Sequence, residues 1–412
     1  MSVAVISLTA LVLALLASCV LRLNVGLLAI VLAWAVGVYA GGMRPDEVMA
    51  GFPTSLFLTL LGVTLLFTQA HVNGTLDRIT QRAVRFCRGN LAVMPVMVFA
   101  LTAALSSIGP GNIASTALMA PVGMAVAGRY GIPPLLMAIM IANGANAGSL
   151  SPIAPTGIVA NNIAVRIGLA GAQWPMYAGN LAAHAVTACG GYLLLGGWRL
   201  LSRRTDRPAP EAGAAPFEGR HQLTAGLIAA LVAGVVFFRV NVGMAAFAGA
   251  AVLTLANAAD EGRSIRELPW NVIIMVTGVT MLIAVLEKTG GMDLFTDLLA
   301  RTATPATSTA VAAFFTAVIS LYSSTTGVVL PALLPTVPGL IERMGGGDAM
   351  ALVSSINVGS HLVDVSPLST LGALCLAAAP PGTDRRVLFN QLLAWGLSMT
   401  IAAPIFCWIF FA

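Results

Sequence analysis

Two stretches of this chain set polar, helix-breaking residues inside long apolar runs, and that combination leaves few folds open. The first, from Leu105 to Gly157, reads LSSIGPGNIASTALMAPVG, a short apolar run, then ANGANAGSLSPIAPTG. The second, from Ile319 to Gly372, carries LYSSTTGVVLPALLP and then INVGSHLVDVSPLSTLG. The apolar runs around them reach roughly 18 residues or more, enough to span a bilayer as helix. They lack the period-two alternation of a membrane barrel. Hydrocarbon supplies no water to a backbone freed by Gly and Pro. Broken helix at membrane depth therefore persists only where protein or an aqueous cavity covers it.

Composition agrees. The 412 residues are 58% hydrophobic and 9% charged, against about 25% charged in soluble domains. This excludes an ordinary soluble enzyme and leaves a polytopic, all-α membrane protein. The five cysteines (Cys19, Cys87, Cys189, Cys375, Cys407) form neither a metal spacing nor a disulfide framework. They read as small buried hydrophobes. The net charge of +5 reports membrane topology rather than nucleic-acid binding. The first apolar run lacks a basic leading segment and runs straight into another span, unlike a cleavable signal.

Taken in order, residues 3–20, 24–42 and 52–70 read as spans. From Asn73 to Asn90 the pattern places Leu76, Ile79, Ala83 and Phe86 opposite Arg78, Arg82, Arg85 and Arg88. That spacing predicts an interfacial amphipathic helix with its arginines at the headgroups; a plain loop helix is the simpler reading. Residues 91–127 form two short apolar arms around SSIGPGNIAS and predict a re-entrant hairpin. Residues 132–167 predict a span broken near Asn143 to Pro155, and 174–198 a full span. Residues 199–221, rich in Arg, Pro and acids, are a linker.

The pattern then repeats through 222–412, with a second hairpin at 305–344 and a second broken helix at 349–379. Arg22, Asn24 and Gly26 recur as Arg239, Asn241 and Gly243; Gly62-Val63-Thr64 as Gly278-Val279-Thr280; Ser106-Ser107 as Ser323-Ser324; Ser151-Pro152 as Ser366-Pro367. Matches in one order at a nearly constant offset point to duplication. With hairpins not crossing, each repeat of residues 1–198 and 222–412 has five crossings plus one re-entrant hairpin. The odd number inverts the second repeat. Placing the linker in the cytoplasm and both termini in the periplasm puts fifteen of the 21 Lys and Arg residues inside, as the positive-inside rule asks.

A half-helix that starts near the midplane offers unpaired N–H groups and a positive dipole end, which suits a carboxylate. Asn112, Ser115 and Thr116 fall at one hairpin tip, and Ser323, Ser324, Thr325 and Thr326 at the other. Two opposed tips suit a small ligand with two carboxylates, although any one such cluster also fits helix–helix hydrogen bonding. The broken spans add Asn143, Asn146, Asn161 and Asn162 in one repeat and Ser355, Asn357, Ser360 and Asp364 in the other. Amide and freed carbonyl oxygens are the ligands Na⁺ takes at broken helices. Asp364, the acid deepest in a span, predicts a cation or proton site, or else a structural pair with His361 one turn before it. His184 reads as a packed helix contact. There is no Walker A, dinucleotide-turn or HExxH motif, so ATP-driven transport and metalloproteolysis lose support.

At these residues the chain resembles the ion transporter superfamily, and within it the malonate/dicarboxylate carriers of the MatC type, related to the INDY-type divalent anion/sodium symporters. The resemblance covers nearly the whole chain. INDY-type proteins place Ser-Asn-Thr at both tips; here the first reads Gly111-Asn112-Ile113 and the second Thr325-Thr326-Gly327. Their Thr-Pro in the broken helices resembles Ser151-Pro152 and Ser366-Pro367. The resemblance puts Ser107, Asn112 and the loop around Gly148 where such carriers hold one Na⁺. Thr325 joins Asn143, Asn146, Asn357 and Asp364 among the expected Na⁺ ligands. It implies a homodimer whose moving part works as an elevator, in an inner membrane, with Na⁺ as coupling ion and no other cofactor. The expectation is Na⁺-coupled symport of a small dicarboxylate, malonate or a C4 acid. The alternatives are proton coupling through Asp364, anion efflux, or a membrane scaffold or enzyme that moves nothing.

Overall fold

A computed structural model describes residues 2–20, 24–84, 91–202, 216–238, 240–321 and 323–412. Arg85 and Arg88 of the amphipathic segment, most of the 199–221 linker, and both Arg22 and Arg239 lie outside the described residues. What is described is helical throughout, with no strand. The first half holds α1 (Val3–Val20), α2 (Val25–Ala35), α3 (Thr54–Val72), α4 (Thr75–Val84), α5 (Val93–Ser107), α6 (Gly111–Tyr130), α7 (Pro134–Ser149), α8 (Pro155–Arg166) and α9 (Gln173–Leu194). The second holds α10 (Gly219–Phe238), α11 (Val242–Leu255), α12 (Trp270–Thr289), α13 (Gly291–Ala300), α14 (Ser308–Ser320), α15 (Thr325–Met344), α16 (Ala349–Leu362), α17 (Thr370–Ala377) and α18 (Arg385–Phe411). A short helix precedes both α3 and α12, at Pro45–Met49 and Glu261–Arg266.

Local chemistry sets the helix ends. The Asn24 side chain accepts from Gly26 N at 2.9 Å, and its counterpart Asn241 accepts from Met244 N at 3.0 Å; both are N-caps of the preferred type. Asp348 and Asp384 cap α16 and α18 in the same way. Pro134 and Pro155 open α7 and α8, where a missing N–H costs nothing.

The halves interlock through glycines. A Cβ on Gly26 of α2 would lie 2.1 Å from the Ile274 carbonyl oxygen of α12, and one on Gly278 would lie 2.2 Å from the Gly26 oxygen. At the corresponding place α11 meets α3, where a Cβ on Gly62 would lie 2.5 Å from the Gly243 oxygen. The second helix of each half thus packs backbone to backbone on the third helix of the other. Within each half a further tight pair forms. Gly144 and Gly148 seat α7 on α5, and Gly359 seats α16 on α14. Small residues that admit close helix approach are the usual device where lipid removes the hydrophobic drive between helices. Large apolar side chains such as Leu194, Phe237, Phe238 and Leu255 point outward.

Among the described residues six helices are long and apolar enough to cross a membrane: α3, α6, α12, α15, the α16–α17 stretch and α18. Two expectations shift. α6, at 20 residues, is longer than the short arm read from the sequence, whereas α5 has 15. The breaks also sit later than expected. α7 stays helical through Asn143 and Asn146 to Ser149, and α16 through Asn357 to Leu362. The α-helix is interrupted at 150–154 and at 363–369, where Val363–Val365 make a 3-10 turn.

Candidate functional site

The turn between α5 and α6 and the turn between α14 and α15, the two polar tips, meet at one cavity of about 710 Å³. The first tip is Gly109-Pro110-Gly111, joining α5 to α6. Gly109 has φ +134° and Gly111 φ +78°, values that L side chains rarely adopt. A Cβ on Gly109 would also lie 2.0 Å from the Phe67 ring of α3. The turn delivers Asn112 to the cavity wall, and its amide Nδ2 donates to Asn146 Oδ1 at 2.8 Å.

The second tip runs from Ser323 into α15. Ser324 caps it by accepting from Gly327 N at 3.0 Å, and its carbonyl accepts from Val328 and Val329 N–H. The first turn of α15 is therefore π-type, a local widening common at functional sites. Ser323, Ser324, Thr325 and Thr326 all line the cavity. The Thr326 hydroxyl meets that of Thr156, on the first turn of α8, at 2.8 Å, so the second tip touches the break of the first half.

Asp364 sits in the second break, lines the cavity and is 7% exposed. The Thr325 hydroxyl lies 3.3 Å from each of its carboxylate oxygens. Asn146 and Ser320 lie beside the same carboxylate, and Ser320 is hydrogen-bonded to Thr325. Ser369 donates to the Asp364 backbone carbonyl. Asn146 is the hub: its Oδ1 receives Asn112, its Nδ2 donates to the His361 carbonyl at 2.9 Å, and its own carbonyl receives Asn180.

The rest of the wall comes from α3 (Thr64, Phe67, Thr68, His71) and the start of α12 (Val272, Ile273, Met275). The cavity extends to His71 and Glu267, both exposed, at the end of α3 that leads into α4. Glu267 is engaged by Arg263 at 2.7 Å. Among the described residues neither Lys nor Arg lines the cavity.

Not every expected residue reaches it. Ser115 and Thr116 are fully buried in α6 away from the cavity, their hydroxyls without a protein partner among the described residues. Ser107 bonds Tyr177 and the Ala103 carbonyl, while its own carbonyl receives Ser151 at 2.6 Å. Gly148 packs against it: a Cβ there would lie 2.7 Å from Ser107 N. Asn143 and Asn357 are buried behind the cavity, where each amide donates to the carbonyl four residues earlier. Ser320, Thr156 and the α3 residues were not singled out from sequence. Ser320 carries a signal, standing one turn before the second polar tip, whereas the α3 wall depends on packing alone.

Residues 1–149 match the family model described as dicarboxylate carrier protein MatC N-terminus. Among curated proteins none matches the chain. Among solved structures, the YdaH transporter of Alcanivorax borkumensis superposes with a TM-score of 0.59 at 15% identity, covering 93% of this chain and 97% of that one. At that identity the likeness is one of fold. The first 149 residues thus match the MatC-type dicarboxylate carrier family model, and 93% of the chain shares the fold of the YdaH transporter.

Proposed function

We propose that this protein is a secondary active carrier that moves a small dicarboxylate, malonate or a C4 acid, across the inner membrane in symport with Na⁺. The observation that carries the reading is the convergence of two polar tips on one cavity in which, among the described residues, the buried charge-bearing side chain is Asp364. Helix N-termini and hydroxyls from opposite tips suit two carboxylate groups. A dianion held near the Asp364 carboxylate, with neither Lys nor Arg in the wall among the described residues, meets like-charge repulsion in a poorly screened site. Cations offset that repulsion, so substrate and cation favour each other's binding. The same linkage makes a loaded carrier less charged, and easier to move, than one holding the dianion alone.

Asn112, Asn146, Thr325 and Asp364 supply oxygen atoms of the hard kind that Na⁺ takes. The reciprocal packing of α2 on α12 and α11 on α3 supports two inverted repeats, each with five crossings and a re-entrant hairpin. On that layout the cavity faces the cytoplasm, and the hairpins with their broken helices are the part that moves as an elevator within a homodimer. Protonation of Asp364 is the second reading, favoured by its burial in a wall that holds no Lys or Arg among the described residues.

Binding tests the proposal before any flux is measured. Malonate should raise the melting temperature of the purified protein in Na⁺ and do so far less in choline at equal ionic strength. Equal stabilisation in both would remove Na⁺ from the site. None with any dicarboxylate would remove the cargo.

A further inference from the structure

The two tips do not offer the cavity the same chemistry. The second brings hydroxyls, from Ser323 through Thr326, whereas the first is followed at once by Ile113. Ile113 is 40% exposed, and Leu368, on the second break four positions after Asp364, is 47% exposed. Both line the cavity, as does the exposed Ala117 one turn after Ile113. Lipid accounts for outward-facing apolar residues such as Leu255, but not for apolar side chains inside a cavity that also holds polar tips. There they are held against water, and a ligand's apolar group that covers them recovers free energy.

These side chains share one wall. α17 packs along α6. Both helices start at the cavity, and at their far ends a Cβ on Gly128 would lie 2.7 Å from Pro380. The two therefore run side by side in the same direction. That sets Leu368, two residues before α17, beside the first turns of α6. The result is an apolar shelf next to the first tip, with a contributor from each half of the chain. Volume points the same way. The cavity of about 710 Å³ falls among the roughly 300–1,000 Å³ sites that hold drug-sized ligands, and malonate fills only a small part of it.

We infer that the preferred cargo is a malonate-type dicarboxylate carrying one short alkyl group on the carbon between its carboxylates, with that group seated on the shelf of Ile113, Ala117 and Leu368. The inference rests on the dicarboxylate reading above and narrows its substrate class. The carboxylates keep the start of α6 and the hydroxyls of the second tip. The central carbon is where a substituent leaves both carboxylates free. Each methylene group covered by the shelf tightens binding by about fourfold.

The test compares ligands that differ only in that group. The full chain in lipid nanodiscs is titrated in Na⁺ buffer at about pH 8, well above ordinary carboxylate pKa values, with malonate, methylmalonate and ethylmalonate. Affinity is read from the rise in melting temperature with ligand concentration. Ethylmalonate should bind about tenfold or more tighter than malonate, with methylmalonate between them. Leu368→Ser and Ile113→Thr change exposed side chains, and each should cut the ratio of ethylmalonate to malonate affinity to about a third or less. Ethylmalonate binding no tighter than malonate would overturn the inference and leave the dicarboxylate reading standing. That is the result expected if Ile113 and Leu368 are apolar only because another conformation covers them. A gain that survives in both variants would also overturn it, since the alkyl group would then sit elsewhere. No stabilisation by malonate or either derivative would overturn the dicarboxylate reading, and the inference with it.

Discussion

The hydroxyl of Thr325 stands equidistant, at 3.3 Å, from the two carboxylate oxygens of Asp364, while the same hydroxyl contacts Ser320 and the Ser360 carbonyl. One hydroxyl thus ties the tip of the second hairpin to the second helix break. In the proposed symport, a cation at that carboxylate would also take the lone pair of the Thr325 hydroxyl, so its binding would be linked to the tip. Thr325→Val keeps the shape and removes the hydroxyl. Hydrogen bonds to charged groups are worth about 1.5–3 kcal/mol, so the apparent Na⁺ affinity should change by about tenfold or more. Thr325→Ser should restore it.

Asn112→Ala leaves Asn146 Oδ1 buried without its donor, at a cost of about 1–3 kcal/mol. Substrate uptake at limiting concentration should fall by about tenfold or more while the protein still folds. Size-exclusion behaviour and uptake measured on the same preparation separate the two effects.

Gly278→Ala tests the interlock between the halves. The new methyl would lie 2.2 Å from the Gly26 carbonyl oxygen, and a backbone atom cannot swing aside as a flexible side chain can. Overpacking of this kind typically costs about 1–3 kcal/mol. A clear drop in melting temperature in detergent is expected, and Gly190→Ala, where a Cβ meets open space, should leave it nearly unchanged.

Arg343 pairs with Asp293 and Asp297 at the far end of α15, and these acids are 76% and 50% exposed at the side chain. Exposed pairs contribute about 0–1 kcal/mol. Asp293→Asn should therefore leave both stability and uptake close to wild type, in contrast to Asp364→Asn, whose group is buried in the cavity wall.

The sequence makes the membrane class and the two polar tips legible because they depend on composition and local breakers. Gly109-Pro110-Gly111 and Ser324-Thr325 can be recognised without a partner in view. The breaks were harder to place. Asn143 and Asn357 look like interruptions, yet each satisfies its amide on the carbonyl four residues back and rides an intact helix. Ser115 and Thr116 carry the right chemistry but face away from the cavity, a matter of helix rotation that polarity does not encode. Phe67 and His71 line the cavity from α3 only because tertiary packing brings that helix across the first tip. His184, which reads as a plain packing residue, stands edge to face with His361, 177 positions away.

The most direct test of the central claim is uptake of labelled malonate into proteoliposomes, with an inward Na⁺ gradient and an inward proton gradient imposed separately. Accumulation that follows the Na⁺ gradient, and is lost in Asp364→Asn, is the expected result. Accumulation that follows only the proton gradient would move the coupling ion from Na⁺ to a proton. No accumulation of malonate or of any C4 acid under either gradient would contradict dicarboxylate symport itself.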